Sequence, residues 1–162
     1  MVKGLGIVVL RMALAAVFIA HGANKLFGAF GGPGIGTGGL TNTADFIAHL
    51  GLTPPFPLAV LVGLAELLGG ALLVIGWFTR WVSIALIITT GIAVWKVHLP
   101  SGFFLNWTGA SGVGQGMEFS VVLIGALACL ALSGGGDFSI DGRRELTSAR
   151  RAAGRARLRG KV

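Results

Sequence analysis

Several side chains able to do chemistry stand where an apolar segment should be featureless. Arg11 interrupts "GIVVLRMALAAVFIA", and His21, Asn24 and Lys25 follow at once in "HGANKLFG". An imidazole titrates near neutrality and can pass a proton. An ammonium favours a bound anion, and an amide such as that of Asn24 both donates and accepts hydrogen bonds. Further candidates lie far along the chain: Glu66 in "GLAELLGG", Lys96 and His98 in "WKVHLP", and Glu118 in "GQGMEFS". Imidazoles, ammoniums and carboxylates brought together would suit proton-coupled chemistry on a small ligand. Thiol and metal chemistry are poorly served. Cys129 is the single cysteine, which excludes an internal disulfide and a thiolate cluster, and its apolar run predicts a small buried hydrophobe.

Composition defines the elements that must hold these groups. Of 162 residues, 54% are hydrophobic and 12% charged, with mean hydropathy +0.83. An ordinary soluble domain carries about a quarter charged residues. The expectation is an all-α membrane protein with a single four-transmembrane-helix domain over residues 1–142. Its spans fall at about 5–27, 57–77, 80–98 and 117–134, each near the ~20 residues a crossing needs. A cleaved leader is not expected, because Arg11 breaks the apolar stretch that a secretion signal keeps intact.

Charge sets the orientation. Of the 13 Lys and Arg residues, eight follow Gly142, in "RRELTSARRAAGRARLRGKV". Positive residues collect in cytoplasmic loops. With both termini inside (N-in/C-in), Lys3, Arg80 and the tail are cytoplasmic, while Lys25 and Lys96 are outside. Trp77 and Trp81 then mark one interface and Trp95 and Trp107 the other, as aromatic belts do. The net charge of +7 does not point to nucleic acid, since no aromatic residue interleaves with the arginines of the tail. A basic cytoplasmic tail at residues 143–162 suits contact with anionic lipid instead, which makes the bilayer the first partner.

Between the first two spans, "GAFGGPGIGTGGLTNTADFIAHLGLTPP" reads as a glycine loop followed by a short surface helix from Thr43 to Leu52. Thr41 or Thr43 is its candidate cap. Pro54 and Pro55 end it and start the second span. "GIGTGG" has the spelling of a dinucleotide site but follows a membrane helix rather than a strand, so it carries no such meaning.

Helical geometry then places the polar groups. Arg11 to Lys25 is about 21 Å along the axis, and the two lie roughly 40° apart around it, with His21 on the same side. That side should face the bundle interior. Glu66 is the midpoint of the second span, beside Gly63, Gly69 and Gly70. A carboxylate at that depth costs at least ~2.5 kcal/mol unless paired or protonated, and Arg11 is its expected partner in a structural ion pair. His21, Asn24, Lys25, His98 and Glu118, with Lys96 and Gln115, are expected to converge beneath the outer surface and form a ligand pocket. Each also has a plainer role: Lys25 and Lys96 snorkelling to the interface, His98 exposed in a loop, Glu118 favoured at a helix start. No residue is assigned a catalytic role, no metal site is expected, and His49 on the surface helix is assigned none.

The ordered set of Arg11, "HGANKLFG", "GLAELLGGALLVIGWFTR", Glu118–Phe119 and "FSIDGRR" resembles the DoxX family of small four-helix bacterial membrane proteins. The resemblance covers most of residues 5 to 143 and matches at Arg11, His21, Lys25, Glu66, Arg80 and Glu118. It implies a four-helix bundle in the bacterial cytoplasmic membrane. It also implies a link to redox chemistry, because the family is named after subunits of a thiosulfate:quinone oxidoreductase. One cysteine and no facing histidine pair leave no dithiol or haem centre, so an accessory subunit is expected, with no covalent cofactor and a quinone as candidate ligand. Three functions fit: a quinone-linked redox subunit with an outward polar pocket, a transporter of a small anion or weak acid, and a membrane scaffold or assembly subunit. A homo-oligomer or a redox-enzyme partner goes with the first and third.

Overall fold

The computed structural model describes residues 3–30 and 38–159. Most of the "GIGTGG" stretch lies outside the described residues. Six α-helices follow in order: α1 Lys3–Phe27, α2 Leu40–His49, α3 Pro55–Ile75, α4 Thr79–Ala93, α5 Glu118–Ser133 and α6 Ile140–Arg159. Among the described residues there is no strand.

Local chemistry explains most boundaries. Pro55 opens α3, where its fixed φ suits a helix and its missing N–H costs nothing. Gly76 ends α3 in the left-handed region at φ 66. Only Gly76, Trp77 and Phe78 separate α3 from α4, which forces an antiparallel hairpin. Beyond Ala93, α4 continues through a π-turn, Val94–His98, and a 3₁₀ turn, Leu99–Ser101. The surface helix α2 begins at Leu40, earlier than Thr43. Its cap position is Gly39, without a side-chain cap. Thr43 is instead inside the helix, donating its hydroxyl to the carbonyls of Gly39 and Lys25, both at 3.0 Å, which fastens α2 to the end of α1.

The tightest packing is α1 against α3. A Cβ on Gly22 would run into the backbone of Leu67, and one on Gly70 would stand 2.9 Å from the Ile19 nitrogen. Small residues are what allow two helix backbones to approach this closely. The main core joins Leu14, Ala15, Phe18, Leu73, Val82, Leu86, Leu127 and Leu130 from α1, α3, α4 and α5. A smaller one seats Ala44 and Ile47 of α2 on Ala59 of α3.

The outward faces are apolar as well: Val9, Leu61, Leu68, Ile88 and Val122 are all exposed. A helical bundle that is oily outside and inside is built for lipid. Gly4–Phe27, Pro55–Ile75 and Thr79–Ser101 are long and apolar enough to cross a bilayer; α5 is apolar but shorter, at 16 residues. Cys129 is exposed on α5 rather than buried, because it falls on the outward face of a helix that is apolar all round. Helix α6 is polar and basic, and carries most of the tail expected from residue 143.

Candidate functional site

A cavity of about 400 Å³ lies at the end of the bundle where α1 finishes. His21 and Lys25 of α1, Glu66 of α3, His98 of the π-turn and Gln115 of the following loop supply its polar wall. Phe18, Leu105 and Phe119 supply much of its apolar wall. The sequence-derived convergence of His21, Lys25 and His98 is therefore present in three dimensions.

One expected pairing is not. Glu66 accepts a hydrogen bond from Lys25 Nζ at 2.6 Å, and Arg11 is elsewhere. The reason is register. Leu26 packs on Gly63 and Arg11 reaches Val74 of the antiparallel α3. Glu66 thus stands beside the last turns of α1, and Arg11 is roughly 15 Å further along the axis. Glu66 is at the middle of α3, as expected, but the middle of α3 lies level with the end of α1 and not with Arg11. The two side chains are 24% and 12% exposed, so the pair is only partly hydrated and is less screened than a surface ion pair.

His98 reaches the cavity because of the π-turn. In a regular helix Val97 would lie under Thr90 two turns on. The extra residue in the π-turn delays the register by one and turns His98 to that face. Its Nδ1 is 2.9 Å from the carbonyl oxygen of Gln115. Lys96 is not on the cavity wall; its ammonium sits over the Trp95 ring, 4.5 Å from the centroid.

Glu118 and Asn24 are not on the cavity wall. The Glu118 carboxylate accepts the Leu105 N–H at 2.9 Å, and Gln115 Oε1 accepts that of Asn106 at 3.0 Å. Together with His98 they pin the loop 102–117 over the cavity as a roof. Asn24 donates to the carbonyl of Ala29 at 2.8 Å and closes the end of α1. Both therefore spend their polar atoms on the chain itself. Ser120 and Thr90, buried and facing the cavity, were not singled out in the sequence. Their signal was present: each is a hydroxyl in an otherwise apolar span.

The opposite end of the bundle is a structural knot. Arg11, 2% exposed, donates to the carbonyls of Gly135 at 2.7 Å, Val74 at 3.2 Å and Phe138 at 3.2 Å. It thereby satisfies a carbonyl at the end of α3 and fixes the turn after α5. A Cβ on Gly76 would strike the guanidinium, so glycine there serves both the left-handed turn and the arginine. Asp141 caps α4 from a distance, accepting the N–H groups of Phe78 at 3.0 Å and Thr79 at 2.8 Å. Ser139 caps α6 by accepting the Gly142 N–H at 2.9 Å. The "FSIDGRR" stretch is thus a clasp joining α4 and α6. Arg80 is exposed beside it, its guanidinium 3.5 Å from the carbonyl of Ala131.

Comparison with known proteins agrees with this architecture. The DoxX family model matches residues 6–99, from within α1 to beyond the end of α4. The inner membrane protein YphA of Escherichia coli (strain K12) is 30% identical over 141 residues, covering 85% of this chain and 89% of the relative. No solved structure matches the chain.

Proposed function

The chain belongs to the DoxX family, and from that membership we propose that it is an integral membrane subunit of quinone-linked redox chemistry, whose cavity receives a quinone headgroup. It is a multi-pass protein of the bacterial inner membrane. We place α5 as a fourth crossing and both termini in the cytoplasm, on the bias of Lys and Arg toward the N-terminus, the α3–α4 turn and the tail. The cavity then lies beneath the outer surface.

The observation that carries this reading is the composition of the cavity wall. A quinone headgroup is a flat ring with carbonyls on opposite edges, and the cavity volume is within the range of small-molecule sites. His21, Lys25, Gln115 and Ser120 can donate to such carbonyls, while Phe18, Phe119 and Leu105 can flank the ring. When bound, a quinone supplies two-electron chemistry coupled to protons. The protein's part is to orient the ring, to exclude water with the Leu105–Gln115 roof, and to hold a proton at the His21 imidazole. The Lys25 ammonium, already shared with Glu66, favours negative charge nearby.

Transport through the bundle is less well supported. A pathway needs polar groups on both sides of the midplane, whereas Leu14, Phe18, Leu127 and Leu130 lie between the cavity and the Arg11 knot. Mass spectrometry of lipids extracted from the purified protein tests the proposal. Menaquinone or ubiquinone should co-purify near one per chain, and His21→Ala should lower its occupancy. Extracts with no quinone at any stoichiometry would remove it.

A further inference from the structure

We propose that the cavity is loaded sideways from the bilayer, through the upper seam between α1 and α5. Its ligand is then a membrane-dissolved amphiphile, with a hydrogen-bonding head inside and an apolar tail left in the seam. This rests on the headgroup reading above and adds the route and the ligand's second half.

Three sides of the cavity are closed. The roof is the loop 102–117, tied down by Glu118 to Leu105, by Gln115 to Asn106 and by His98 to Gln115. Its neck is closed by backbone bonds from Met117 to Gly102 at 3.1 Å and from Glu118 to Phe103 at 2.8 Å. The floor is the Leu14, Phe18, Leu127 and Leu130 layer. The back is α3 with Glu66 and α4 with Thr90 and Ala93.

The side between α1 and α5 is different. Helix α1 packs chiefly on α3 and meets α5 over a short stretch, where the floor residues lie. Above them the wall ends at His21, which is exposed, and at Phe119, 44% exposed. Val122, 67% exposed, stands one turn from Phe119 on the same rim. His21 is inside the apolar span Gly4–Phe27, about 9 Å below the end of α1. The gap therefore faces acyl chains and not bulk water. A water-borne ion approaching from above meets the pinned roof, whereas a headgroup diffusing in the bilayer meets an open rim of aromatic and aliphatic side chains. A hydrophobic tail resting against Val122 and Leu123 would stay in an environment like the one it left.

The test uses the full chain in lipid nanodiscs, with Cys129→Ser as background and a bulky maleimide attached after folding at Val122→Cys. Val121→Cys, on another face of α5, is the labelled control. Two probes are compared: an isoprenoid-tailed quinone supplied in the bilayer and its tail-free headgroup supplied in water. Label at position 122 should slow exchange of the tailed quinone about tenfold and that of the tail-free one far less, since it has no tail to seat against the label, and label at 121 should alter neither. Unchanged exchange of the tailed quinone overturns the route while leaving the binding site standing. Equal slowing of both probes also overturns it, because the label would then be filling the cavity. Failure of both probes to bind the unlabelled protein removes the headgroup site itself, and the route with it.

Discussion

Lys25 and Glu66 tie the last turn of α1 to the middle of α3 through a single contact of 2.6 Å between Nζ and Oε2. The pair forms part of the cavity wall and is also a helix clamp. Removing one partner of a fully buried ion pair costs about 3–5 kcal/mol, and less for a partly hydrated one such as this, whereas replacing both by apolar groups is often neutral. Glu66→Leu alone should therefore lower the thermal unfolding midpoint, and the Lys25→Met/Glu66→Leu double variant should recover most of the loss. A double variant as unstable as the single ones would show that the clamp is a net contributor and not a balanced pair.

Arg11 and Glu66 should behave independently. Residues without shared partners add within about 0.5 kcal/mol. Arg11→Lys loses the planar fork that serves three carbonyls at once. Each lost bond from a charged donor costs about 1.5–3 kcal/mol, so Arg11→Lys should be nearly as unstable as Arg11→Met. Its effect should add to that of Glu66→Leu in a melting assay. Strong coupling between the two would restore the direct pair that the register of α1 on α3 argues against.

Deleting Val97 should leave both folding and binding in place. A π-turn is one residue more than an α-helix needs, and its removal allows regular hydrogen bonding. His98 would then stand seven residues after Thr90 in a regular helix and stay on the cavity face. The shortened protein should melt close to the parent temperature and retain its quinone. Loss of quinone with the fold kept would show that the site needs the π-turn itself and not only His98 on that face.

Truncation after Arg143 should leave the bundle intact, since Arg11, Ser139 and Asp141 all remain. The truncated protein should melt within about 0.5 kcal/mol of the full chain, as surface changes do. It should carry less anionic phospholipid, because each basic residue near such a surface contributes about 1 kcal/mol. Thin-layer analysis of bound lipid checks this; undiminished phosphatidylglycerol would assign α6 another role.

Much of the fold was legible because hydropathy reports helices that are oily on every side. The spans expected at about 5–27 and 57–77 lie close to α1, Lys3–Phe27, and α3, Pro55–Ile75. The gathering of His21, Lys25 and His98 followed from counting residues along each span. What could not be read was register between helices. Glu66 was assigned to Arg11 by depth along its own span, and a helix sequence does not state how far its antiparallel partner has slid. The role of Asp141 was hidden for a similar reason. It caps a helix some sixty residues earlier, and no local pattern encodes a cap supplied from afar. The π-turn is a third case, since a one-residue slip in hydrogen bonding leaves composition and hydropathy untouched.

The layer of Leu14, Phe18, Leu127 and Leu130 has an electrical consequence. It insulates the cavity from the Arg11 end, so a proton given up at His21 can equilibrate with one aqueous reservoir alone. Under the proposed topology that reservoir is the periplasmic one. Any proton exchange in this pocket would then acidify or alkalinise that single compartment.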